Sequence, residues 1–156
     1  MEITEDDIDE LVRISDRGRD EWIHGRLLWE ELGSGISQAP DATIFGPLGG
    51  VAPRGEAPVI DPDAQKAVAA KFKGGDGDTE LIRAIVLGDV VVLVMVDRSQ
   101  VQFEGYEDPK PWELRITEIF RREQGTWVRL HRHADPLVAF RDIDATLTMV
   151  QDRSRS

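Results

Sequence analysis

Cysteine is absent from the 156 residues, which excludes disulfides, thiolate metal sites and a cysteine nucleophile. A basic excess is absent too. Thirty Asp and Glu stand against 19 Lys and Arg, a formal net charge of -11. Such a surface repels nucleic-acid phosphate and anionic lipid headgroups and favours solubility. No apolar run reaches the length of a membrane span; the longest, Val90 to Val96, is strand-sized. The acidic start, Met1-Glu2-Ile3-Thr4-Glu5-Asp6-Asp7, lacks the charged-then-apolar pattern of a signal peptide. A cytoplasmic protein with no nucleic-acid and no membrane partner is the expectation. Gly46-Pro47-Leu48-Gly49-Gly50 lacks the lysine and following helix of a phosphate loop, and no serine sits in a nucleophile-elbow context.

What is present fits one domain over residues 1–150, with a frayed tail at 151–156. Thr4 followed by acidic residues reads as a helix start, with Asp7 at the capping-box position. Ile8, Leu11 and Val12, then Trp22 and Trp29, recur at helical spacing, so one or two helices are expected over 5–31. Ala42-Thr43-Ile44-Phe45 is a short strand, followed by a long proline- and glycine-rich loop over 46–61. Asp61-Pro62-Asp63 opens a second helix, expected to run to Lys73 and stop at Gly74-Gly75. The remainder reads as antiparallel sheet. Gly88-Asp89 joins strands over 80–87 and 90–98, and Gln124-Gly125 joins strands over 112–122 and 126–134. Helices first and a meander afterwards predict an α+β fold.

The last hairpin carries the polar constellation. Strict alternation puts Trp127, Arg129, His131, His133 and Asp135 on one face of the last strand. In its partner, Glu113, Arg115, Thr117, Ile119 and Arg121 share one face, and Trp112, Leu114, Ile116, Glu118 and Phe120 the other. Histidines two apart with an aspartate two further on can shuttle protons, hold a ligand or metal, or serve as half-buried sheet residues. A third and fourth metal ligand are not evident, so no metal is assigned. The basic residues Arg115, Arg121, Arg122, Arg129 and Arg132 split between faces and alternate with Glu118 and Glu123, the pattern of a solvated hairpin.

The run from Trp112 to Trp127, Trp-Glu-Leu-Arg-Ile-Thr-Glu-Ile-Phe-Arg-Arg-Glu-Gln-Gly-Thr-Trp, resembles the penultimate-hairpin signature of SnoaL-like, nuclear transport factor two-like proteins. Val128-Arg129-Leu130-His131-Arg132-His133-Ala134-Asp135-Pro136 completes it. Asp41 to Gly50 is similar to the segment after the first helices in one branch of that family. The resemblance implies a cone-shaped, curved antiparallel sheet with N-terminal helices closing a pocket, the cystatin-like α+β roll. It implies that Arg115, Thr117, His131 and His133 face that pocket, with Trp22, Phe45 and Trp112 in its lining. On this reading His131, His133 and Asp135 are the catalytic group of a cofactor-independent isomerase, dehydratase or cyclase. Arg115 and Thr117 hold a small hydrophobic molecule. The alternative is a non-catalytic ligand-binding or oligomerisation module. The exposed sheet face is expected to form a homodimer. The single tyrosine, Tyr106, lies in the turn over 105–110, so a tyrosine donor from the helical region is not carried over. Arg129 stands where the family usually has an aliphatic residue.

Overall fold

The computed structural model describes residues 2–26, 36–48 and 62–151. The expected helical stretch beyond residue 26, with Trp29, most of the 46–61 loop and the tail after Gln151 lie outside them. The first helix, α1, spans Glu5–Ile23. Its capping box is formed: the Thr4 amide donates to Asp7 Oδ2 at 2.8 Å and the Asp7 amide to Thr4 Oγ1 at 3.3 Å. The Thr4 amide, more than any other group, holds the Asp7 carboxyl below its ordinary range. Asp7 also pairs with Arg122, whose guanidinium lies 4.4 Å from the Trp127 ring centroid. The start of α1 is thereby tied to the last hairpin.

Five strands follow in the order of the chain: β1 (Ile36–Phe45), β2 (Phe72–Leu87), β3 (Val90–Phe103), β4 (Lys110–Glu123) and β5 (Thr126–Pro136). They form one curved, open sheet in the spatial order β1-β5-β4-β3-β2. The run from β2 to β5 pairs antiparallel throughout, and β1 adds a parallel edge against β5. Helix α2 (Pro62–Ala69) precedes β2, and α3 (Ile143–Gln151) follows β5. Among the described residues no helix is long and apolar enough to cross a membrane.

Both hairpin turns fall where the glycine pairs put them. At the second, Gln124 and Gly125 both have positive φ, 50° and 82°, the left-handed pair that matches strand twist. The elements differ from the sequence reading at several points, beginning with β1, which runs over ten residues instead of 42–45. Helix α2 ends at Ala69, and β2 already begins at Phe72, so Gly74 and Gly75 lie inside a strand and not at a helix end. The reason is long-range pairing: Phe72 faces Phe103, and the register shifts before Gly75 pairs with Val101. At Gly75, φ is 153° and a Cβ would sit 2.1 Å from the Gln100 carbonyl oxygen, so only glycine fits this irregularity. Helix α3, which the sequence reading did not anticipate, exposes Ile143, Leu147 and Val150.

The main core lies between α1 and one face of the sheet. Leu11 and Ile14 of α1 pack on Val91, Leu93, Met95, Leu114, Ile116, Phe120, Trp127 and Ala134. A second cluster gathers Ile23, Phe72 and Val101 at the far end of α1, with Trp22, Phe103 and Trp112 against it.

Candidate functional site: a polar cavity under the first helix

The core face of β3 alternates Val91, Leu93, Met95, Asp97, Ser99 and Val101, all buried. That of β4 alternates Leu114, Ile116, Glu118 and Phe120, also buried. Asp97 and Glu118 therefore occupy apolar positions in the pattern, carried inward by the same period that buries their neighbours. Each is 2% exposed. Buried charges need partners, and these have them.

Glu118 is the hub. Arg129 Nη1 donates to its Oε1 at 3.1 Å and Arg132 Nε to the same oxygen at 3.2 Å. Ser15 of α1 donates its hydroxyl to Oε2. Asp97 Oδ1 accepts from Thr79 Oγ1 of β2 at 2.6 Å. Its second oxygen has no hydrogen bond to a described residue. Burial pushes the Asp97 carboxyl up to about 6, against the Thr79 hydrogen bond and the nearby Arg132 and Arg19 charges. Burial likewise lowers the Arg129 guanidinium from its ordinary range, against the pull of Glu118. On α1, Arg19 Nη2 meets Asp16 at 2.9 Å. Arg19 is buried, yet its Nε and Nη1, and Nε of Arg129, have no protein partner among the described residues.

These groups surround a cavity of about 30 Å³, bounded by Ile14, Ser15, Gly18 and Arg19 above and the sheet below. That is room for roughly two water molecules. Three guanidinium and two carboxyl groups line it, leaving one net positive charge when both carboxyls are ionised. An arrangement of unused buried N–H donors with an open carboxylate oxygen can bind an anion and exchange a proton with it.

The residues singled out from sequence lie elsewhere. Arg115, Thr117, His131, His133 and Asp135 are on the sheet face away from α1, not in this cavity. The cause is a one-residue bulge in β5. Ile119 faces His131 while Phe120 faces Arg129, which leaves Leu130 as the extra residue. The bulge shifts the alternation by one. Trp127 and Arg129 point toward α1 before it, Arg132 and Ala134 after it, and the histidines point away. Past the bulge, Arg115 comes to face Asp135 and Thr117 to face His133.

The outward group is well connected. Arg115 Nε donates to Asp135 Oδ1 at 3.1 Å, and its Nη2 to the other carboxylate oxygen. Thr43 Oγ1 lies 2.7 Å from His131 Nδ1. Phe45 meets the rings of His131 and His133 edge-on, each with centroids 5.5 Å apart. Burial, and then the neighbouring His133, lower the His131 pKa from its ordinary value. Trp22 and Trp112 are brought together around Phe72, with centroids 5.3 and 5.2 Å from it. They belong to the second core cluster, apart from the polar cavity.

No family model matches the chain, and no curated protein matches it either. Solved structures do. A candidate dehydratase of the NTF2-like family from Streptomyces avermitilis superposes with a TM-score of 0.60 at 15% identity, over 86% of this chain and 98% of that one. A domain with a cystatin-like fold from Nostoc punctiforme gives 0.62 at 11% identity, over 99% and 100%. The CaMKII hub of S. rosetta gives 0.58 at 14% identity, over 82% and 95%. At such identities the likeness speaks for architecture and not for activity, and this chain has the nuclear transport factor two-like, cystatin-like α+β fold.

Proposed function

We propose that this protein binds a small anion, no larger than formate, in the cavity of about 30 Å³ between α1 and the sheet. The observation that carries the reading is the set of buried guanidinium N–H groups on Arg19 and Arg129 that no atom of the described residues accepts. Buried donors left unpaired are costly, and a carboxylate offers the planar pair of acceptors that guanidinium groups fit. Five ionisable groups in the lining favour such a ligand over the small hydrophobic molecule suggested by the resemblance. The Asp97 carboxyl, pushed up to about 6 by burial and lying beside cationic donors, can exchange a proton with such an anion. The test is calorimetric titration of formate into the protein and into Arg19→Met, which keeps the apolar stem and leaves the Glu118 hub intact. Binding by the parent and a loss of tenfold or more in the variant support the reading. Equal affinity, or no binding to the parent at millimolar formate, refutes it.

A second reading concerns assembly and sits beside the first. The sheet face away from α1 presents half-buried Val92, Val94, Val96 and Ile119, with Ile85 and Ile82 exposed beside them. A face of that kind suits a second copy of the chain, and hub domains are among the structures of this fold. Sedimentation at micromolar concentration is expected to give a homodimer; a clean monomer rejects it.

A further inference from the structure

An anion drawn to the unused N–H groups of Arg19 and Arg129 meets a carboxyl there. Asp97 and Glu118 line the same cavity of about 30 Å³ as those two arginines, so any occupant lies close to both carboxyls. The two are neutralised differently. Glu118 accepts from the Ser15 hydroxyl and directly from the Arg129 and Arg132 guanidinium groups. Asp97 accepts from a neutral group, the Thr79 hydroxyl. Among the described residues no guanidinium pairs with it, and the Arg19 and Arg132 charges act on it from a distance. Around Asp97 stand Thr79 on β2, Asp16 and Arg19 on α1, Glu118 on β4, and Arg129 and Arg132 on β5. Asp16 is spent on Arg19 and on the Thr79 amide. Of the two carboxyls in the lining, Asp97 is the one less able to stay ionised beside a second negative charge.

We propose that the cavity binds its anion together with one proton, which Asp97 takes up from solvent as the anion enters. The inference rests on the anion-binding reading above. Two unit negative charges about 4–6 Å apart, at an effective dielectric of about 20, repel enough to raise the proton affinity of a carboxylate by about a hundredfold or more. Burial has already brought the Asp97 carboxyl up to about 6, so the added charge carries its titration past neutrality. Protonation of one oxygen leaves the other to accept from Thr79, and the hydrogen bond to β2 survives. The guanidinium groups stay charged. The lining then holds three cations against Glu118 and the anion. Because the coupling is reciprocal, a proton on Asp97 strengthens anion binding by the factor with which the anion strengthens proton binding. Affinity for the anion therefore rises as pH falls toward 6.

Formate is the probe, since it stays ionised throughout the range. Calorimetric titrations of the full chain at pH 7, in two buffers of different ionisation enthalpy and at low chloride, count the protons exchanged. Uptake of close to one proton per formate is expected, with binding at least about tenfold tighter at pH 6.5 than at pH 8.5. Asp97→Asn keeps an oxygen for Thr79. It is expected to bind formate with no proton uptake and with affinities within about threefold of each other at the two pH values. Binding to the parent without proton uptake overturns the coupling and leaves the anion site standing. Uptake that persists in Asp97→Asn overturns the assignment to Asp97. Failure of formate to bind the parent overturns the anion reading and this inference with it.

Discussion

Replacing Asp97 with asparagine is expected to stabilise the protein, and by an amount that depends on pH. The carboxyl titrates near 6 in the folded protein against an ordinary value of 3.8. Between those values the folded state binds more protons than the unfolded chain, so stability falls as pH rises through the window. Above it the full penalty is present. A difference of about two units corresponds to about 3 kcal/mol. Asparagine does not ionise and still offers Thr79 an oxygen, so it escapes the penalty. Thermal melts of parent and variant, in parallel, should differ by roughly 6–12 °C at pH 7.5 in a protein of this size. The difference should shrink to near zero at pH 4, where the parent's Asp97 is protonated. A variant as stable as the parent, or less so, at pH 7.5 refutes the reasoning. It would mean that the Arg19 and Arg132 charges outweigh the burial of the carboxylate. A residue held ionised at such a cost is one that the fold alone does not need.

Glu118→Ala removes the partner of Arg129 and Arg132 and leaves two guanidinium groups near-buried. A loss of about 3–5 kcal/mol in chemical denaturation is expected, and a loss under 1 kcal/mol would contradict the hub. Gly75→Ala drives a methyl into the Gln100 carbonyl and should cost roughly 2–4 kcal/mol by urea unfolding, with the β2–β3 amides losing hydrogen-exchange protection. On the outer face, Phe45→Ala uncovers His131. Its pKa, followed by NMR, should rise toward 6.5 from below it, and an unchanged titration would refute burial as the cause.

Much of this was legible in local chemistry. The capping box of Thr4 and Asp7, the turn at Gln124-Gly125 and the shared face of Arg115 and Thr117 on β4 depend on neighbours in sequence or on a period of two. What escaped depends on distant chain. The bulge at Leu130 obeys no local signal in Arg129-Leu130-His131, yet it moves both histidines from the expected pocket to the opposite face. The extension of β2 back to Phe72 and the parallel docking of β1 are likewise fixed by their partners. The cavity itself left a readable trace. Asp97 interrupts Val91, Leu93 and Met95, and Glu118 interrupts Leu114, Ile116 and Phe120. A charged residue in the apolar phase of a strand marks a buried polar site better than a histidine pair on a strand whose phase can slip.

A formate titration, followed through the Nε–Hε signals of the arginines and the ring signals of the histidines, decides between the two faces of the sheet. Binding in the cavity under α1 predicts that Arg19 and Arg129 shift in a saturable manner, while His131 and His133 stay in place. Saturable shifts of His131 and His133 with Arg19 and Arg129 unmoved would contradict it, and would put the site on the outer face of the sheet.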